Sequence, residues 1–262
     1  MTEIPKLIPE ISQLASTNLE DPSAVRNACF RLDEMFLQSD NLKDPDVSDL
    51  ANRNTLKRLQ ALYEQFETNL ENEFAQKLLS GETNSEEEYP LYDRFKRLIA
   101  KETELAKVKE DDRVLFIGSG PFTISPILIS RMTGANVECY EQNDEVVSRS
   151  REVIEKLGMS EKISVVNSTG QKGSTHGNKV IFVALLAKPK QNIMDNIWQH
   201  TGSDSRIICR TSEENREVFY QGISIDELTG FRHFKIEGIQ HAGVDDTISS
   251  YLLKPDRNPD RK

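Results

Sequence analysis

Residues Arg113–Asp144 read RVLFIGSGPFTISPILISRMTGANVECYEQND, and their reading decides the fold. An apolar run, Val114–Ile117, meets Gly118-Ser119-Gly120-Pro121. A helical pattern over Phe122–Met132 follows, then a second apolar run, Asn136–Glu141. Strand, glycine turn, helix and strand in this order predict the first unit of a parallel sheet, whose first turn faces a ligand crevice. Gly118 and Gly120 let the backbone turn sharply and approach a ligand with no Cβ in the way. Glu141 stands 21 residues beyond Gly120 at the end of the next strand. That is the place for an acid accepting hydrogen bonds from ribose hydroxyls.

Working outward, helical patterns cover Glu145–Leu157 and Lys190–His200, and strands are predicted at Ile163–Val166, Lys179–Leu186 and Ser205–Arg210. A loose loop, STGQKGSTHGN, separates the strands at Ile163 and Lys179. Ile225–Leu228 reads as a helical turn. Phe234–Ile239 and Thr247–Leu253 read as a closing antiparallel pair. Strands alternating with helices imply a mostly parallel sheet covered on both faces.

Before residue 110 nearly everything reads as helix: Pro5–Leu14, a segment to Leu37 opened by Asp21-Pro22, and a long pattern through Leu78. In the last, Leu56, Leu59, Tyr63, Phe66, Leu70, Phe74 and Leu78 recur in steps of three and four, which is one buried face. SGETNSEEEYP breaks it, and Leu91–Lys107 is helical again. The expected architecture is α/β: a helical domain over 1–108, then a Rossmann-like domain over 109–262.

Two cofactors suit the turn. A dinucleotide normally takes G-x-G-x-x-G, and Thr123 stands where the third glycine belongs. S-adenosylmethionine has a ribose but no pyrophosphate. Pro121 removes a backbone N–H that a phosphate would use, which favours S-adenosylmethionine. A glycine turn that binds nothing remains the third reading.

Composition bounds the function. The 262 residues carry a net charge of −10, so a general nucleic-acid binder, which needs surplus Lys and Arg, is disfavoured. No apolar run approaches a membrane span, and the opening residues lack a basic-then-apolar signal, so a cytoplasmic protein is expected. Cys29, Cys139 and Cys209 form no C-x-x-C, and His176, His200, His233 and His241 show no ligand spacing. No metal site is expected.

Taken together, FIGSGPFTISPILIS (Phe116–Ser130), SRSREVIEKLG (Ser148–Gly158), VALLAKPK (Val183–Lys190), RIICRT (Arg206–Thr211) and ELTGFR (Glu227–Arg232) resemble the nicotianamine synthase family, especially its shorter archaeal and bacterial members. The first is similar to that family's G-[GS]-G-P-x-P-x-[ST] segment, but departs from it in having Ile124 at or beside the place of the second proline. The likeness runs from about residue 55 onward. It implies transfer of the 3-amino-3-carboxypropyl (aminobutyrate) arm of S-adenosylmethionine, as co-substrate, onto an amine, releasing methylthioadenosine and building a metal chelator. All three carbons on the sulfonium are electrophilic, so placement of the nucleophile selects among them.

The resemblance also implies site residues. Glu71 on the long helix and Tyr92 before the second domain line the acceptor site. Glu71 shares a row with Glu67, Phe74 and Leu78, where it could be half-buried; by itself it reads as a solvated helix glutamate, and it is the resemblance that implies a general base there. Tyr89 competes with Tyr92. Gly118, Ser119, Gly120 and Pro121 should hold the methionine end, Glu141 the ribose, with Asn143 beside it. Asn167 and Thr169 should reach the adenine, although an Asp is expected where Thr169 stands. Val183, Ala184 and Leu185 should wall the aminobutyrate arm. Arg210 either pairs with a substrate carboxylate or caps the sheet edge. The acceptor is histidine, glutamate or a unit derived from S-adenosylmethionine. A methyltransferase with a helical lid and a non-catalytic nucleotide-binding protein are the alternatives; a homodimer is possible.

Overall fold

Asp21 opens its helix as the sequence predicts: its carboxylate accepts from Ser23 N and Ala24 N at 3.0 and 3.1 Å, with Pro22 in the first turn. Such a cap satisfies donors that no helical carbonyl can reach. The computed structural model of the chain describes residues 4–37, 52–223, 227, 231 and 233–257. The helical turn read at Ile225–Leu228 lies, apart from Glu227, outside the described residues. Internal packing divides the chain into two compact units.

The first unit comprises Met1–Leu70, Thr211–Ile223 and His241–Ser249. It contains α1 (Ile4–Leu14), α2 (Pro22–Phe36) and the start of α3 (Arg53–Ser80). Leu59, Tyr63, Phe66 and Leu70 of α3 are buried as the spacing predicts, Leu62 is buried beside them, and Leu56 is only half-buried. Tyr63 is the hub. Its ring meets Phe66, Phe219 and Tyr220 at centroid distances of 5.5, 4.9 and 5.2 Å, and its hydroxyl donates to Asp33 Oδ1 at 2.7 Å. Each such aromatic pair adds about 0.5–1.5 kcal/mol beyond the area it buries. Gln60 Nε2 donates to Glu217 O at 2.7 Å.

The second unit comprises Glu71–Arg210, Ser224–Gln240 and Ser250–Lys262. Its helices are the rest of α3, α4 (Tyr92–Leu105), α5 (Ile124–Thr133), α6 (Asp144–Lys156) and α7 (Lys190–His200). The strands are β1 (Arg113–Ile117), β2 (Asn136–Glu141), β3 (Ile163–Asn167), β4 (Val180–Val183), β5 (Arg206–Thr211), β6 (Phe234–Gln240) and β7 (Ser249–Pro255). They form one seven-stranded sheet in the order β3-β2-β1-β4-β5-β7-β6. β1 pairs in parallel with β2 and β4, β2 with β3, and β4 with β5, whereas β6 and β7 are antiparallel. This is the Rossmann-like α/β fold the alternating pattern predicts.

Several boundaries differ from the periodicity by one to three residues, and two of them have a plain local reason. Helix α5 starts at Ile124, not Phe122, because Thr123 takes a left-handed conformation (φ 60°) and extends the turn. Strand β4 ends at Val183, although the apolar run continues to Leu186. Ala187 N donates back to Ala184 O at 3.2 Å, a turn that takes the chain off the ladder.

Candidate active site

Strand register assembles the site. Ile117 is opposite both Tyr140 and Val183, and Glu141 is opposite Asn167. The residues that follow, Gly118, Gln142, Ser168 and Ala184, therefore leave the sheet on one edge. It is the carboxyl-terminal edge, where the order reverses between β1 and β4 and such sheets open a crevice.

The glycine turn is wound tightly: Gly118 and Gly120 have φ of 87° and 69°. A Cβ on Gly118 would lie 3.2 and 3.3 Å from the Cβ atoms of Ala187 and Ala184, so the loop after β4 packs directly on it. Gly118 N donates to Tyr140 O at 2.8 Å. The Gly120 carbonyl lies within hydrogen-bond distance of Thr123 Oγ1 at 3.1 Å and of Ser150 Oγ at 2.8 Å, whose single proton it shares with Val146 O at 2.7 Å. Ser119 is only 6% exposed, and its hydroxyl has no hydrogen-bond partner among the described residues. Pro121 is buried.

Glu141 points back to this turn. Its Oε2 accepts from Gly120 N at 3.4 Å, and its Oε1 from Gln142 N and Asn143 N at 2.9 and 3.1 Å. Backbone N–H groups thus fix the carboxylate, which leaves lone pairs for hydroxyl donors. Asn143 caps α6, its side-chain oxygen accepting from Glu145 N and Val146 N. Asn167 donates to Asp144 Oδ1. Thr169 is half-buried, and its hydroxyl has no partner among the described residues. Its loop is anchored by Asn196 Nδ2, which donates to Gly170 O and Gly173 O, both at 2.9 Å, and by Tyr140 OH to Ser174 O at 2.6 Å. Val183, Ala184 and Leu185 are buried.

Glu71, from the second part of α3, reaches the same turn. A Cβ on Gly120 would come within 3.3 Å of Glu71 Cδ and closer still to Oε2. Glu71 is half-buried, with Oε2 shielded from solvent. One helical turn on, Phe74 packs on Phe122 at 4.7 Å and on Tyr89 at 5.3 Å, and Tyr89 meets Phe122 at 4.9 Å. Of the two candidate tyrosines, Tyr89 therefore backs the turn. Tyr92 is half-exposed, its hydroxyl 3.3 Å from Glu87 Oε1 and the Lys96 ammonium 5.4 Å from its ring centre. Partial burial and the neighbouring Glu87 raise its pKa, so the phenol stays protonated.

Sequence reasoning left Arg210 with two roles, and the structure gives it a partner inside the sheet unit. Nε and Nη2 donate to Glu102 Oε1 and Oε2 at 2.9 and 2.8 Å, and Nη1 to Ser125 Oγ at 3.1 Å. Ser250 Oγ donates to the same carboxylate at 2.6 Å. Three residues escaped the sequence reading: Ser150, Asn196 and Lys190. Each acts on a backbone carbonyl, a target that side-chain patterns do not announce. No group of three or more His, Cys, Asp or Glu placed to hold a metal occurs among the described residues, and no described helix is long and apolar enough to cross a membrane.

Fold and site together define a Rossmann-like α/β protein with a glycine turn and two carboxylates, Glu141 and Glu71, at that turn. The family model described as nicotianamine synthase protein matches residues 1–254, and the chain belongs to the nicotianamine synthase family. It is 24% identical over 139 residues to an L-histidine 2-aminobutanoyltransferase of Pseudomonas aeruginosa, covering 51% of each chain. An enzyme of the same name from Yersinia pestis is 20% identical over 125 residues, 48% of this chain and 47% of that one. The chain spans about half the length of the curated relatives it matches. Among solved structures, MtNAS in complex with MTA and tNA superposes with a TM-score of 0.83 at 25% identity, over 94% of this chain and 97% of that one. A mutant of MtNAS in complex with S-adenosylmethionine gives 0.81 at 25% identity, over 95% and 97%.

Proposed function

We propose that the protein transfers the 3-amino-3-carboxypropyl group of S-adenosylmethionine to the amine of an amino acid, releasing methylthioadenosine. The observation that carries this reading is the Glu71 carboxylate lying against Gly120, within the turn that should hold the methionine end. The relatives' names and the ligands of MtNAS support it. The transferase of Pseudomonas aeruginosa acts on L-histidine, which makes histidine the first acceptor to test. Glutamate and a unit derived from S-adenosylmethionine are the others.

In this reading Glu141, held by three backbone N–H groups, accepts the ribose hydroxyls. The unpartnered hydroxyls of Ser119 and Thr169 meet the methionine end and the adenine. Val183–Leu185 form an apolar wall beside the reacting carbon. An α-amino group is mostly protonated at neutral pH, so the acceptor must lose a proton to react. Glu71 takes it. The amine nitrogen then forms a bond to the propyl carbon, the carbon–sulfur bond breaks, and its electron pair goes to sulfur as the neutral thioether departs. Tyr92, kept neutral, donates a hydrogen bond at the acceptor side. Asn143 and Asn167 shape the nucleoside side through their contacts on α6. The three free thiols suit a reducing compartment, which supports a cytoplasmic setting.

Purified protein incubated with S-adenosylmethionine and single amino acids tests this by mass spectrometry. Methylthioadenosine with an aminobutyrate conjugate is expected. S-adenosylhomocysteine would make the protein a methyltransferase, and absence of both products would end the proposal.

A further inference from the structure

Lys190 stands where a lysine is costly twice over. It is the first residue of α7 and only 5% exposed. A cation at a helix N-terminus opposes the helix dipole, and a buried ammonium loses its water. Burial lowers its pKa, and Arg210 and Lys188 push the same way, against the Cys209 thiol and the Glu227 carboxylate. The compensation is specific. The ammonium donates to Ala184 O at 2.7 Å, Leu185 O at 3.0 Å and Ala187 O at 3.4 Å, so all three of its protons serve one loop. That loop is the one whose alanine methyls close on Gly118. The same loop is tied at its start by Ala184 N to Ile117 O at 3.0 Å.

We propose that Lys190 is a positioning residue: by drawing three loop carbonyls onto its ammonium, it holds Ala184 and Ala187 against Gly118 and so sets the wall on the methionine side of the crevice. The part of this proposal that concerns the ligand rests on the function proposed above; the part that concerns the loop does not. A methionine at 190 would fill similar space but remove the ammonium from all three carbonyls, leaving Ala184 O with Ala187 N alone. The loop would then loosen, and the ligand's amino-acid end would lose its wall while its adenosine end would not.

Three measurements test this on the full chain. Amides of Ala184 and Ala187 in the ligand-free wild type are expected to exchange slowly; rapid exchange there would overturn the loop clamp without any variant. In Lys190→Met the same amides should exchange at least about tenfold faster, and Lys190→Arg should recover part of the protection. Affinity for S-adenosylmethionine should fall roughly tenfold in Lys190→Met, with affinity for methylthioadenosine changing less than about threefold. Equal loss for both ligands would reduce Lys190 to a general structural role and overturn the proposal. If the wild type binds neither ligand, the functional reading fails, and the exchange rates still decide the clamp.

Discussion

In the proposed reaction Glu71 is the base. Changing it to Gln keeps shape and hydrogen-bonding reach but removes the base. Transfer should fall by about 10²–10⁴-fold, while affinity for S-adenosylmethionine stays within a few-fold. Steady-state release of methylthioadenosine and calorimetric titration read the two separately; undiminished turnover would strip Glu71 of its role. Tyr92 contributes one hydroxyl, so Tyr92→Phe should lower kcat/KM about tenfold, the worth of one hydrogen bond, with no change in melting temperature. Tyr89, 2% exposed between Phe74, Phe95 and Phe122, is a packing residue, and its truncation should show first in stability. The two tyrosines illustrate where sequence stops. Both lie in EYPLY, and nothing in their spacing says which one the helix start will bury.

Among the elements, the strand–turn–helix–strand at Arg113–Glu141 was legible apart from its helix start, which the left-handed Thr123 delays to Ile124, because a change in hydrophobic period and two glycines mark its joints. Glu141 was legible for the same reason: strand length fixes where the acid emerges. The turn's inner wiring was not. Ser150 lies on α6, and only folding brings its hydroxyl to the Gly120 carbonyl. Lys190 read as one more polar residue of AKPK until the turn after Val183 put three carbonyls around it. Gly120→Ala tests how closely this element is fitted. The new methyl would meet Glu71 on a backbone with φ of 69°. A side chain in that region costs about 1–2 kcal/mol, and the displaced carboxylate should abolish transfer even in the folded fraction. A fully active Gly120→Ala would show that the turn and Glu71 are not mutually fitted.

On the scale of the whole molecule, the sheet unit is keyed by one buried ion pair. Arg210 on β5 and Glu102 on α4 are 4% and 0% exposed in their side chains, and Ser125 and Ser250 complete their hydrogen bonds from α5 and β7. Arg210→Met strands a buried carboxylate and should cost about 3–5 kcal/mol in urea unfolding, whereas Arg210→Met with Glu102→Leu should recover much of the loss. A single variant as stable as wild type would show that the pair is not closed in solution. Lys190 gives stability a second signature. Its folded pKa is lowered from 10.5, so the unfolded chain holds that proton to higher pH than the folded protein does. Stability linked to this group is therefore present above about 10.5 and lost as pH falls through the folded value. Wild type should gain on Lys190→Met as pH is raised from neutral towards 10.5; a difference flat with pH would place the ammonium in water. The helical N-terminal region was readable in outline from the α3 face, but the joining of residues 211–223 to it was not, since Tyr63 finds Phe219 and Tyr220 across a gap that no local pattern spans.

Cys29, Cys139 and Cys209 are all 0% exposed, and burial raises the pKa of each. Their sulfurs stay protonated and out of reach of alkylating reagents while the protein is native. The chain thus comes with a silent background for labelling: a fluorophore attached through a single cysteine introduced on an exposed position would report from that position alone, and sudden uptake of label by the native three would time unfolding.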